Sequence, residues 1–153
     1  MNPYFLNPVE RIADWRKLRS ELSLLVDKKE ILEKAQEYWN QMPLDDYVMD
    51  LHLPESWSDP WEIITHGKYC KSMIAYMIMQ TLLFSNKNLF NHDNMKLKLI
   101  DDLDTNEQFF ILIIENKLVS NYDRFSIKNL DDIKSSFNTI SDYYFDGKSF
   151  KIT

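Results

Sequence analysis

Residues 72–84, SMIAYMIMQTLLF, are apolar on nearly every side of any helix they form. Such a helix has no face to give to water, so the rest of the chain must enclose it. The run is shorter than the roughly 20 residues a membrane-spanning helix needs. A position inside a folded domain is therefore expected, with no membrane contact. The helix is predicted from about Tyr69 to Phe84, with Met73, Ile74, Ala75, Met77, Ile78, Met79, Leu82 and Leu83 spread around it. Its methionines read as core fillers rather than a cofactor site. A chain of 153 residues supplies cover for one such core, so a single domain over 1–153 is expected.

The cover is legible on both sides of this helix. Upstream, Asn7 reads as a helix cap, Pro8 suits the first helical position, and Glu10 stands where a capping-box carboxylate reaches back. Ile12, Trp15, Leu18, Leu22 and Leu25 then recur at helical spacing. Asp27 marks a break. A second helix over about 28–41 puts Ile31, Ala35 and Tyr38 on one side and stops before Pro43. Residues 42–57 read as a connection anchored loosely by Tyr47, Leu51 and Leu53. Asp59-Pro60-Trp61-Glu62 starts a short third helix, and Gly67 is placed to end it in the left-handed conformation.

Downstream the period changes. Lys96-Leu97-Lys98-Leu99-Ile100 alternates like a strand, and Phe109 to Ile114 is an apolar β-rich run. Glu115-Asn116-Lys117 reads as a tight turn into Leu118–Tyr122, residues 130–138 as a short helix, and Asp146-Gly147 as the turn of a closing hairpin. Three regions result: a helical part over 1–41, the short and central helices over 57–84, and a mainly β part over 96–152. The predicted class is α+β, with N-terminal helices and a central buried helix packed on a small antiparallel sheet.

Charge and composition exclude several functions. The net charge of −6 opposes nucleic-acid binding, and the one basic cluster, Arg11, Arg16, Lys17 and Arg19, is interleaved with an apolar helical stripe. With two glycines and no Gly-rich phosphate loop, nucleotide binding by that device is not expected. No pair of histidines or cysteines has zinc-ligand spacing, so neither metal nor cofactor is expected. Asp101, Asp102 and Asp104 read as a solvated loop at a strand end, lacking the glycine and register of a calcium loop.

Cys70 is the only cysteine, which predicts a reducing, cytoplasmic setting without disulfides. It stands at the predicted first turn of the central helix, where unpaired N–H groups favour a thiolate. A nucleophile there needs a base, and His52, His66 and His92 all fall outside the strands that would face it. His66 is the nearest in sequence. Without a base, Cys70 reads as a small core residue.

The segment from Trp57 to Leu82 resembles the nucleophile region of bacterial transglutaminase-like cysteine proteinases. Trp57, the helix start Asp59-Pro60-Trp61-Glu62, the turn at Gly67 and then Cys70 follow that family's order, and the resemblance extends over roughly 36–152. It implies a transglutaminase-like (papain-like) fold with Cys70 as nucleophile, a histidine opening one later strand and an Asp-Asn pair on the next. Here Tyr69 precedes Cys70 where the family has Asp, and Lys71-Ser72 replace two acids. Phe109 stands for the base and Ser120 for its orienter, with Asp123 the candidate orienter if the register slips. Phe cannot accept a proton and Ser cannot hold an imidazolium by charge.

The expected function is therefore a non-catalytic transglutaminase-like domain with a binding or assembly role, of bacteriophage origin and made in the host cytoplasm. A protein partner is expected. One alternative is a cysteine hydrolase or acyltransferase using Cys70 with a rewired base, His66 or His92. Another is an acidic module that occupies a basic partner.

Overall fold

The computed structural model describes residues 2–45, 49–146 and 149–152. Helix α1 spans Pro8–Leu22, α2 Lys28–Trp39, α3 Pro60–His66 and α4 Lys71–Ser85. Strands β1 (Met95–Asp102), β2 (Gln108–Ile114), β3 (Leu118–Ser120) and β4 (Lys128–Asn129) follow. After α5 (Leu130–Ile133) come β5 (Phe137–Phe145) and β6 (Phe150–Ile152). The six strands form one antiparallel sheet in the order β4-β3-β2-β1-β5-β6. The α+β architecture is the one the sequence predicts.

The caps form as their residue types dictate. Asn7 accepts from the Glu10 N–H at 2.9 Å and its amide donates to the Glu10 carboxylate. Asp27 accepts from Lys29 N–H and Asp59 from Glu62 N–H, so the starts of α1, α2 and α3 each have a side-chain acceptor for an otherwise unpaired donor. Helix α3 ends at Gly67, whose φ of +68° only glycine adopts without strain.

That glycine is also sterically required. Arg11 reaches across from α1 and donates to the carbonyls of Leu6, Ile64 and Thr65 at 2.8, 3.2 and 3.3 Å. A Cβ on residue 67 would lie 2.6 Å from Arg11 Nη1. Gly67→Ala is expected to cost about 2 kcal/mol, left-handed strain plus the displaced guanidinium. Urea unfolding checks it. In an Arg11→Ala background the same substitution should cost only about 1 kcal/mol.

Helix α4 is enclosed as predicted: every residue from Ser72 to Leu82 is buried. One face of the sheet meets it through Leu97, Leu99, Phe110, Leu112, Ile114 and Tyr143. The alternate residues Phe109, Ile111 and Ile113 face the other way, into a second cluster closed by Ile133 and Phe137. On the α4 side, Trp57 packs its ring against Tyr76, Phe110, Tyr143 and Phe150, with centroids 5.1–5.8 Å apart. Thus Tyr143, Phe145 and Phe150 of the terminal hairpin close the core, and Tyr144 points out.

Several boundaries depart from the sequence reading. Helix α2 ends at Trp39, before the predicted residue 41. The helix expected over 130–138 is one turn, because Phe137 already pairs with Asp102 in the sheet. Strand β3 stops at Ser120, since Asn121 adopts a φ of +71°. Asp102 is not solvated: it is buried, and its carboxylate accepts from Thr105 and Tyr122 hydroxyls at 2.7 and 3.3 Å. Tyr47 and Gly147 lie outside the described residues. Among those described, no helix is long and apolar enough to cross a membrane.

Candidate functional site

The start of α4 is set by a crossing of the chain. Leu44 and Tyr69 form a parallel bridge in which Asp45 N–H donates to the Tyr69 carbonyl at 2.8 Å. Extended backbone there forces the helix to begin after Cys70. Cys70 is thus the N-cap (φ −118°, ψ 167°) rather than a first-turn residue, and its carbonyl accepts from Ile74 N–H. It is half-buried against the edge of the main core, and among the described residues its sulfur makes no hydrogen bond.

The first turn of α4 is tied to the sheet by neutral hydrogen bonds. Ser72 Oγ accepts from Phe110 N–H at 3.1 Å. Asn121 Nδ2 donates to the carbonyls of Lys71 and Phe110 at 2.9 and 2.8 Å. One buried amide therefore joins helix, β2 and the end of β3. Tyr69, beside the cysteine, is buried, which pushes its hydroxyl pKa up to about 12 against an opposing pull from Arg11. It stays protonated near neutrality and is no base.

Phe109 and Ser120 occupy the positions read as base and orienter. Phe109 belongs to the reverse-face cluster, and the Lys71 ammonium sits 3.7 Å from its ring centroid. The same ammonium lies 3.8 Å from Glu107 Oε2. Ser120 Oγ donates to Gln36 Oε1 at 2.6 Å, and Asn121 N–H donates to that oxygen at 2.9 Å. Gln36 Nε2 in turn faces the carbonyls of Asp123, Arg124 and Ser126 at 3.1–3.3 Å.

The remaining candidates are dispersed. His66 is the exposed last residue of α3, and His52 is exposed in a turn. His92 is exposed with Nε2 3.4 Å from Asp93. Asp123 accepts from Phe125 N–H at 2.8 Å and lies 3.6 Å from Lys128 Nζ. The Phe125 bond, with help from Lys128, holds its carboxyl below the usual range despite partial burial. None of these side chains hydrogen-bonds to Cys70. No group of three or more His, Cys, Asp or Glu side chains among the described residues has a metal-holding arrangement.

A cleft of about 290 Å³ opens beside the α4 start, lined by Trp39, Met42, Lys71, Asn121, Tyr122 and Arg124 among others. Cys70 is not among its lining residues. Gln36, which organises this region, escaped the sequence reading. Its signal was a polar residue between Leu32 and Trp39, at helical spacing on the buried side of α2.

No family model matches the sequence, and no curated protein matches it. Solved structures do. LapG of Legionella pneumophila in its calcium-bound form superposes with a TM-score of 0.70 at 17% identity, covering 94% of this chain and 78% of that one. EGTA-treated LapG gives 0.70 at 18% identity, covering 95% and 77%. A further LapG structure gives 0.69 at 18% identity, covering 95% and 80%. These neighbours are transglutaminase-like, and the likeness establishes the same fold for this chain.

Proposed function

We propose that this protein is a non-catalytic transglutaminase-like domain that acts by binding or assembly. The observation that carries the reading is the fate of Ser120 and Asn121. Their polar groups are bonded to Gln36, Lys71 and Phe110. The space between the α4 start and strands β2 and β3 is therefore occupied by structural hydrogen bonds. Acyl transfer from a thiol needs a proton acceptor within hydrogen-bond reach and a group to orient it. Phe109 supplies neither, and the three histidines are exposed elsewhere.

The test compares Cys70 in native and unfolded protein. On this reading, iodoacetamide alkylates the native chain no faster than the urea-unfolded chain at the same pH. Release of p-nitrophenolate from p-nitrophenyl acetate is the same for wild type and Cys70→Ser. Native alkylation faster by about tenfold or more, or ester turnover that disappears in Cys70→Ser, would sink the reading in favour of a cysteine hydrolase with a rewired base.

A further inference from the structure

The loop after β3, residues 121–127, is fixed underneath and bare on top. Gln36 holds three of its carbonyls. Asn40 Nδ2 donates to the Arg124 carbonyl, and Arg124 Nη2 returns a bond to the Asn40 carbonyl at 3.0 Å. Asp123 closes a turn onto Phe125 N–H. On this base Phe125 is 89% exposed, with the Arg124 guanidinium 5.7 Å from its ring centroid. A loop already ordered loses little further entropy on binding, so an exposed aromatic on it is a strong anchor.

Beside the ring lies a groove of about 600 Å³ between the loop and α2, with Phe125 and Ile127 on one bank and Lys29, Glu33, Glu37 and Gln41 on the other. Glu33 and Glu37 stand one helical turn apart, both exposed. Among the described residues neither makes an ion pair, and Arg124 pairs with no carboxylate. One face thus carries an apolar knob and a cation on the loop, a hole, and two anions with Lys29 on α2, none of these charges in an ion pair among the described residues.

We propose that this face pairs with the same face of a second copy of the chain about a two-fold axis. Phe125 of each copy enters the groove of the other, and Arg124 meets the Glu33–Glu37 rim across the interface. In a two-fold interface residue i meets j and j meets i, so knob and hole are both filled without any further surface. The net charge of −6 repels two copies at long range, and the crossed Arg–Glu pairs set orientation and register at contact.

Sedimentation of the full chain from about 1 to 200 µM tests this, with a dimer that dissociates on dilution as the expected result. Phe125→Ser should raise the dissociation constant about tenfold or more and leave the urea midpoint of the monomer unchanged. Arg124→Glu should weaken the dimer, as should Glu33→Lys/Glu37→Lys, and combining all three should restore it to within about threefold of wild type. A monomer at every concentration overturns the proposal and leaves the face to an unrelated protein. So does a dimer indifferent to Phe125→Ser, or a charge exchange that restores nothing.

Discussion

Thr81→Val is expected to destabilise the fold by about 3 kcal/mol, because two buried indole N–H groups lose their common acceptor. Thr81 is fully buried on α4. Its hydroxyl oxygen accepts from Trp15 Nε1 at 2.9 Å and from Trp39 Nε1 at 2.8 Å, and its own proton goes to the Met77 carbonyl at 2.6 Å. One atom thus joins α1, α2 and α4. Valine keeps the shape and removes the acceptor, so packing is nearly unchanged while each donor is left in a dry interior at about 1–3 kcal/mol. For a chain of this size that loss should lower the melting temperature by about 6–12 °C. Thr81→Ser keeps the hydroxyl, loses a methyl group and should cost only about 1 kcal/mol. Equal destabilisation by the two variants in urea titration would show that the methyl group, and not the shared acceptor, matters there.

Gln36→Leu should cost a similar amount, about 3 kcal/mol, but with a local signature. The amide of Gln36 accepts from Ser120 and Asn121 and faces three loop carbonyls. Leucine fills most of the volume and satisfies none of them. Asn121 N–H is left buried, whereas the carbonyls of Asp123, Arg124 and Ser126 lie near enough to the surface to find water if the loop lifts. Hydrogen exchange read by mass spectrometry should therefore show the 121–127 segment losing protection well before β1 and α4. Uniform loss of protection across the chain would mean that Gln36 supports the whole core and not this loop. Asn40 exchanges bonds with Arg124 of the same loop, so Gln36→Leu combined with Asn40→Ala should destabilise non-additively.

The sequence makes local chemistry visible and leaves distant partners hidden. The caps at Asn7 and Asp59 and the stop at Gly67 are legible in the sequence because each satisfies a backbone group three or four residues away, and Asp27, read only as a break, caps α2 in the same local way. The alternation in β1 and the turn at Glu115-Asn116 were equally local. Both turn residues adopt positive φ, and Lys117 N–H closes onto the Ile114 carbonyl. Enclosure of α4 followed from composition alone, since an apolar cylinder has one destination. Cys70 lies one residue outside the helix, at its cap, because the backbone just before it is held extended by the bridge of Tyr69 to Leu44, far away in the chain. Thr81 on apolar α4 and Gln36 on amphipathic α2 look like ordinary polar residues until partners 42–90 residues distant are known. Asp102 looks solvated in the sequence for the same reason, its second donor being Tyr122. The fold resemblance was carried by the order of elements, which survives at 17–18% identity. What stands at a site depends on single side chains, which the order of elements does not fix.

The bonds from Trp15 and Trp39 to Thr81, and from Gln36 to Ser120, also order events in time. During synthesis α1 and α2 emerge first, each with a buried-type polar group whose partner has not yet been made. Helix α4 supplies the acceptor for the indoles, and only the end of β3 supplies the donors for Gln36. The first forty residues therefore cannot complete their interior until the chain has passed residue 120. Closing such distant contacts is slow relative to helix formation. A nascent chain stalled before α4 should carry Trp15 and Trp39 as exposed apolar surface and natural points of capture by chaperones, and one stalled before β3 should still lack the partners of Gln36.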